Sequence, residues 1–299
     1  MLGEFEFIDW IRRQVKCSIP VGIGDDCAVL PDGTLLTIDA IVEGVHFARG
    51  TGWYDVGWKA CACNLSDIAA MGGRACYVVA VTALRADMTG EEAQEIVRGI
   101  LAAAGMFGCE LVGGDVVASE VVTVTIAAIG KLDSRPILRS GATDGDAILV
   151  TGALGGSLLG KHLRFVPRLA EARWLKDRGV HAMVDVSDGL LSDLGHILRE
   201  SQLGGATLFE DRIPISPDAE RMAGSDGRSP LEHALNDGED FELLFTTAKE
   251  AAGEIVKENP FETPITIIGE VGGRGLRLRR SDGRLEHLDA HGYDHFRKS

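Results

Sequence analysis

Carboxylates stand in this chain where a charged side chain is expensive to keep. Asp25 and Asp26 close the run Gly22-Ile23-Gly24-Asp25-Asp26, and Asp39 sits inside an apolar stretch. Asp67, Asp115 (in Gly113-Gly114-Asp115), Asp185 and Asp188 (in Asp185-Val186-Ser187-Asp188-Gly189) each border an apolar run. If several of them converge, their repulsion in a low-dielectric cleft is severe unless cations bridge them. Mg²⁺ takes oxygen ligands and is the natural bridging ion, and a cluster of such ions binds polyphosphate. The competing account makes the aspartates scattered turn formers and helix caps, because Gly-Asp runs make loops and Asp and Ser are favoured at helix N-termini. The residues alone leave both accounts open.

Other residues invite chemistry. Gly155-Gly156-Ser157-Leu158-Leu159-Gly160-Lys161-His162 fits the spacing of a phosphate-binding loop after an expected strand, but His162 stands where such loops need a hydroxyl on Mg²⁺. A glycine-rich entry to a packed helix is the better account. Arg139 offers a guanidinium fork for a phosphate, against the ordinary case of a solvated loop arginine. His46 reads equally as a loop histidine or as a contact to a phosphate or ring, and Tyr293 as a packing residue near the C-terminus.

The bulk composition narrows the function classes. The 299 residues carry a formal charge of −15, with 45% hydrophobic and 25% charged residues. That balance fits a globular protein of two domains and argues against a nucleic-acid surface, since phosphate backbones attract basic patches. It also sets a problem for a phosphorylated substrate, one that metal ions solve. Met1 to Trp10 contains Glu4, Glu6 and Asp9, unlike a signal peptide, and the apolar run Cys76 to Leu84 is too short for a membrane helix. The six cysteines, all within the first 109 residues, lack C-x-x-C spacing and read as reduced thiols of a cytoplasmic protein.

The elements that must position these groups follow from periodicity. Phe5, Ile8, Ile11 and Val15 predict a short amphipathic helix. Thr34 to Val42 reads as a buried strand containing Asp39. Asp55 to Met71 reads as a helix stopped by Gly72-Gly73, with Lys59, Asn64 and Asp67 as its polar residues. Tyr77 to Leu84 is a strand, and a helix opens at the capping box Thr89-Gly90-Glu91-Glu92 and runs to about Phe107. The turn Gly113-Gly114-Asp115 leads to a strand from Val121 to Ile129. Residues 131 to 145 read as a boundary, giving domains of residues 1–137 and 138–299. The second half shows a strand Ala147 to Thr151, the glycine-rich loop, a helix through Trp174, a strand Ala182 to Val186 and a helix Leu190 to Arg199. Residues 211–230 read as loop with some helix; strands follow at Phe241 to Phe245, Pro264 to Val271 and Leu276 to Arg280. The mixture predicts an α/β domain followed by an α+β domain.

Taken in order, these motifs resemble the thiamine-monophosphate kinases over nearly the whole chain. The resemblance is carried by Gly22-Ile-Gly-Asp-Asp26, Asp39 with Glu43-Gly-Val-His46-Phe, Asn64-Leu-Ser-Asp67-Ile-Ala-Ala-Met-Gly72 and Gly113-Gly-Asp115. It continues through Arg139-Ser-Gly-Ala, Thr151-Gly-Ala-Leu-Gly-Gly156, Asp185-Val-Ser-Asp-Gly189, Gly238-Glu-Asp-Phe-Glu-Leu-Leu-Phe245 and Gly292-Tyr-Asp-His-Phe296. The resemblance implies the two-domain fold of aminoimidazole ribonucleotide synthetase, with N-terminal domains pairing into a barrel-like homodimer core. It implies direct transfer of the γ-phosphoryl group of ATP to thiamine phosphate in a Mg²⁺-loaded cleft. By position, Asp26, Asp39, Asp67, Asp115, Asp185 and Asp188 look like Mg²⁺ ligands, with Thr37 beside them. Gly114, Asp115, Arg139 and Ser187 look like ATP contacts; His46, Glu239 and Tyr293 look like thiamine phosphate contacts; Asp67, Asp188 and Arg139 look catalytic.

The chain departs from the pattern twice. Val116-Val117-Ala118-Ser119 follows Asp115 where relatives run into Thr-Thr-Arg, and His162-Leu163-Arg164 follows the glycine loop almost at once. Selenophosphate synthetase is the poorer match, because no reactive cysteine stands in an early glycine-rich loop. The hydrogenase-maturation relative ends in cysteine, whereas this chain ends Phe296-Arg297-Lys298-Ser299. The alternatives are an aminoimidazole ribonucleotide synthetase-like enzyme and a non-catalytic nucleotide- or metal-binding module.

Overall fold

The computed structural model describes residues 3–289. Helix α1 (Glu4–Gln14) has acidic residues in its first turn and arginines in its last, matching the helix dipole. A two-residue strand β1 (Ala28–Val29) pairs antiparallel with β2 (Thr34–Val42). Then come α2 (Trp53–Ala70), β3 (Arg74–Arg85), α3 (Gly90–Met106), β4 (Glu110–Ser119) and β5 (Thr123–Lys131). The strands form a five-stranded sheet in the order β1-β2-β5-β3-β4, with β3 and β4 parallel across the α3 connection.

Alternation divides the two faces of this sheet. Leu35 and Ile41, Val78 and Ala80, and Val124, Ile126 and Ala128 are buried, on the side where α2 contacts β2 and β5. On the opposite face Leu36, Ile38, Tyr77, Val79, Val81 and Ile129 are exposed. Helices α2 and α3 cross at unusually short range. A Cβ on Gly57 would stand 1.9 Å from the Ile96 carbonyl oxygen, and one on Gly99 would stand 2.0 Å from that of Tyr54.

The second half contributes β6 (Ala147–Thr151), α4 (Lys161–Arg164), α5 (Leu169–Lys176), β7 (Val180–Asp185), α6 (Leu190–Glu200) and β8 (Gly205–Phe209). It continues with α7 (Pro217–Asp226), α8 (Pro230–Asn236), β9 (Leu243–Thr247), α9 (Lys249–Glu258), β10 (Ile265–Val271), β11 (Gly275–Arg279) and β12 (Leu285–Leu288). Its seven strands run β12-β11-β8-β10-β6-β9-β7, mostly antiparallel. Two units of mixed helix and sheet thus follow one another, as expected. Among the described residues no helix is long and apolar enough to cross a membrane, and all six cysteines are free.

Several elements differ from expectation. Gly113-Gly114-Asp115 is no turn but the middle of β4, where the missing Cβ of Gly114 lets the Ala80 backbone close in. The glycine-rich loop holds a short 3₁₀ turn at Ser157–Leu159, and the expected single helix after it through Trp174 is two, α4 and α5, interrupted at Pro167. Residues 211–230 are more helical than their prolines suggest: Pro217 and Pro230 each open a helix behind a capping serine, Ser216 and Ser229. Strand β8, helix α9 and strand β12 lie outside the expected set.

Helix α2 joins the two units. One buried cluster runs from Cys27 and Leu35 through Leu65 and Ile68 of α2 to Met183, Phe241 and Phe245. The Trp58 indole donates to the Phe165 carbonyl at 2.9 Å, and Phe165 stacks on Phe241 with centroids 3.9 Å apart. Because the α2–α3 crossing tolerates no side chain, Gly99→Ala should destabilise the protein by about 3 kcal/mol. Urea unfolding is expected to show a lower midpoint with an unchanged slope.

Candidate active site

One polar turn of the largely apolar α2, Asn64 to Asp67, pins strands of both sheets. Asn64 Oδ1 accepts the Asp39 N–H of β2 at 3.1 Å, and its Nδ2 donates to the Ala60 carbonyl at 3.0 Å. Ser66 Oγ donates to Asp185 Oδ2 at the end of β7 at 2.5 Å. Asp67 Oδ2 accepts the Thr37 hydroxyl of β2 at 2.6 Å. Asp26, Asp67 and Asp185 consequently each offer a carboxylate oxygen, all within 4.8 Å of one another.

Arg139, from the segment between the sheets, partly offsets this charge. Its Nε and Nη2 donate to Asp26 Oδ1 at 3.1 and 2.5 Å, and its backbone N–H to the Asp25 carboxylate at 3.2 Å. Burial works against the guanidinium charge, but the Asp26 carboxylate more than compensates and holds the pKa above its ordinary value. Asp26 Oδ2 remains buried with no hydrogen-bond partner. A buried orphan oxygen beside two further carboxylates, with no nitrogen or sulfur among the three, is a donor set for a hard divalent cation.

The titration of the group reports the same crowding. Burial, then the Asp39, Asp185 and Asp26 charges, pushes Asp67 well above the usual carboxylate range. Asp185 is raised to about 7 by burial and then by Asp26, and Asp25 to about 7 by the same two causes. Asp39 stands at the solvent rim, yet surrounding protein atoms desolvate its carboxylate and raise it, with Asp188 and Asp26 adding to the shift.

A second group begins α6. Asp188, Asp193 and His196 bring ligand atoms within 4.8 Å of one another. Buried Asp193 accepts the N–H groups of Asp188 and Gly189, both at 3.1 Å, and so fixes the loop that carries Asp188. His196 Nε2 lies 3.9 Å from Asp188 Oδ2.

Beside the 185–189 loop runs the loop Asn236–Glu242. The Glu239 N–H donates to the Ser187 carbonyl at 2.7 Å and the Phe241 N–H to that of Val186 at 2.8 Å. Glu239 and Phe241 hold φ values of 62° and 51°, left-handed conformations that side chains resist. Neighbours impose them. Gly155 and Gly156 donate their N–H groups to Asp240 and Asp237 at 2.7 and 3.1 Å. Ser157 Oγ donates to the Glu239 carbonyl at 2.6 Å, and Lys161 Nζ to Glu242 at 2.9 Å. The glycine-rich loop therefore spends those N–H groups and its lysine on carboxylates of the protein itself, against the phosphate-loop reading.

The structure brings most of the expected site residues together. His46 follows β2, its Nδ1 accepting the Val42 N–H at 3.1 Å. Gly114 and Asp115 lie elsewhere: Asp39 aligns with Ile126, Ala80 and Gly114 across β2-β5-β3-β4, so Gly114 is roughly 14 Å away across the sheet. Asp115 is exposed on β4 and belongs to neither carboxylate group. Tyr293 lies outside the described residues. Sequence reasoning gave no role to Lys59, Asn64, Ser66 or Asp193, and of the pair Asp25-Asp26 it carried only Asp26 into the ligand set. A signal existed for three of them, because Lys59, Asn64 and Ser66 are polar residues on a buried helix of Ala, Cys, Leu and Ile.

A two-sheet fold with aspartates from both units brought within 4.8 Å of one another defines a class. Residues 24–132 match the family described as AIR synthase related protein, N-terminal domain, and residues 151–280 its C-terminal domain; the chain belongs to this family. The thiamine-monophosphate kinase of Rhodopirellula baltica is 40% identical over an alignment covering 98% of this chain and 97% of the relative. That of Aquifex aeolicus is 31% identical, covering 99% of this chain and 98% of the relative. A solved structure, AaThiL complexed with AMPPCP and TMP, superposes with a TM-score of 0.87 at 31% identity, covering 99% of this chain and 97% of that one. Within the family the chain falls among the thiamine-monophosphate kinases.

The raised carboxylates predict a pH dependence whose sign can be worked out. Ordinary carboxylates titrate near 4, roughly, so between there and about 7 native Asp25 and Asp185 retain protons that the unfolded chain has lost. Their favourable contribution is fully present below the unfolded pKa and disappears as pH rises through about 7. Without divalent cations the melting temperature is expected to fall between about pH 5 and pH 8, and millimolar Mg²⁺ to restore it, more at the higher pH. Differential scanning fluorimetry checks this; a melting curve indifferent to Mg²⁺ at the higher pH would remove the cation site.

Proposed function

We propose that the protein transfers the γ-phosphoryl group of ATP directly to the phosphate of thiamine monophosphate, forming thiamine diphosphate and ADP. The observation that carries this reading is the convergence of Asp26, Asp67 and Asp185, with the buried Asp26 Oδ2 unpaired. The thiamine-monophosphate kinases it matches over nearly their full length support the choice of acceptor.

Transfer between two phosphates brings many negative charges together, so the protein's task is positioning and neutralisation. Mg²⁺, when bound, supplies that neutralisation, with Asp26, Asp39, Asp67, Asp185 and Asp188 as the carboxylates that hold it and Thr37 orienting Asp67. Arg139 and Ser187 contact ATP, together with Gly114 and Asp115. His46 and Glu239 contact thiamine phosphate, and the aromatic ring of Tyr293 suits a flat cationic thiazolium. Asp67, Asp188 and Arg139 align the transfer. The acceptor oxygen is already ionised, so neither a strong general base nor a covalent nucleophile is required.

We place the domain boundary between residues 137 and 138 and read the protein as a homodimer whose N-terminal sheets pair into a barrel-like core. Supporting this is the exposed apolar face of the first sheet, with Leu36, Ile38, Tyr77, Val79, Val81 and Ile129, of a kind that marks an interaction surface. Asp115 lies on a strand at the edge of that sheet, and pairing would enclose it.

Incubation with ATP, Mg²⁺ and thiamine monophosphate should yield thiamine diphosphate, detected by chromatography. Asp67→Asn should cut turnover roughly a thousandfold while leaving the melting temperature equal or higher, since it relieves repulsion. Near-normal turnover would take Asp67 out of the site. Light scattering should give the mass of a dimer, and Ile38→Asp with Val79→Asp that of a monomer; a wild-type monomer would sink the pairing.

A further inference from the structure

Lys59 is fully buried on α2, yet the reading above leaves it without a role. Its ammonium donates at 2.6 Å to the His46 carbonyl and at 2.6 Å to Glu239 Oε1, 180 residues away. An ammonium this deep is hard to justify by stability. Desolvating it is expensive, and replacing a buried ion pair with apolar side chains of similar volume is often neutral or stabilising. Most residues around it on α2 are apolar and buried, so a methionine would suit the surroundings.

The two segments that Lys59 joins are informative. One is the exit from β2 that carries His46. The other is the loop on which Glu239 holds its left-handed backbone and bonds the Ser187 carbonyl at 2.7 Å. The Glu239 side chain is 21% exposed against 1% for Lys59. The carboxylate therefore borders open space while the lysine is sealed behind it. The sealed ammonium fixes the distance between the His46 backbone and the Glu239 carboxylate.

We propose that Lys59 is a positioning residue for the acceptor subsite, tying His46 of the first unit to Glu239 of the second so that thiamine monophosphate meets both in register. This rests on the assignment of His46 and Glu239 as contacts of thiamine monophosphate. Because the ammonium bonds His46 and Glu239 and none of Asp26, Asp67 and Asp185, it governs acceptor binding more than nucleotide binding.

Steady-state kinetics and melting temperatures of the wild type, Lys59→Met, Lys59→Arg, Glu239→Gln and the double variant Lys59→Met with Glu239→Gln test it. Lys59→Met should raise the KM for thiamine monophosphate by about tenfold or more and leave the KM for ATP within about twofold; it should also lower the melting temperature, because Glu239 and the His46 carbonyl lose their partner. Lys59→Arg should recover most of the loss, and the double variant should lose less than the sum of the single losses. Equal rises in both KM values, additive losses, or an unchanged KM with a lowered melting temperature would each reduce Lys59 to a structural brace. So would failure of both Lys59→Met and a Lys59→Gln variant to fold. A wild-type protein inactive on thiamine monophosphate would instead overturn the kinase reading beneath this proposal.

Discussion

Concentrated negative charge is the constraint to which the rest of the structure answers. Asp26, Asp67 and Asp185 reach one place from three elements, with Asp39 close enough to raise Asp67 and Asp185 and Asp25 itself raised beside Asp26. Left to themselves such groups would spread apart or take up protons. They stay because each is fastened from behind: Asp67 by Thr37, Asp185 by Ser66, Asp26 by Arg139. Stability is given up to keep a charge pattern that is favourable only when something cationic joins it.

The fastening explains why α2 is so unusual a helix. It presents no free surface over most of its length, and Gly57 lets the α3 backbone lie directly against it. With the helix so held, Asn64, Ser66 and Asp67 have little freedom to move, and side chains over a hundred residues apart share hydrogen bonds of about 2.5 Å. The strained backbone at Glu239 and Phe241 belongs to the same logic. A loop in that conformation persists where surrounding bonds over-determine it, and here Gly155, Gly156, Ser157 and Lys59 do so.

How far this could be read from the chain depended on whether local pattern or tertiary partner decides the outcome. The aspartates were legible because each interrupts an apolar run, β2 and α6 because their apolar residues mark them, and α3 because its periodicity and its Thr89 capping box agree with its environment. Strand β4 was hidden because its glycines imitate a turn, and their reason lies on the neighbouring strand at Ala80. Pro217 and Pro230 looked like loop residues until the serines before them proved to be caps. Ser66 and Lys59 were visible as polar residues on a buried helix, but their partners, Asp185 and Glu239, lie 119 and 180 positions downstream. No local rule reaches so far. The glycine-rich loop is the converse case, a motif whose spacing suits phosphate but against which His162 already argued, and whose N–H groups at Gly155 and Gly156 are taken by Asp240 and Asp237.

The continuous core has a consequence for how the molecule comes apart. Apolar contacts run without a break from Leu35 on one sheet, through α2, to Phe245 on the other. Neither unit can melt while its neighbour remains intact, because α2 would be stripped on one side and the seam of Trp58, Phe165 and Phe241 flooded. Denaturation should be a single concerted event despite two separate sheets, so nothing resembling a stable, free-standing half is to be expected from cutting the chain between them.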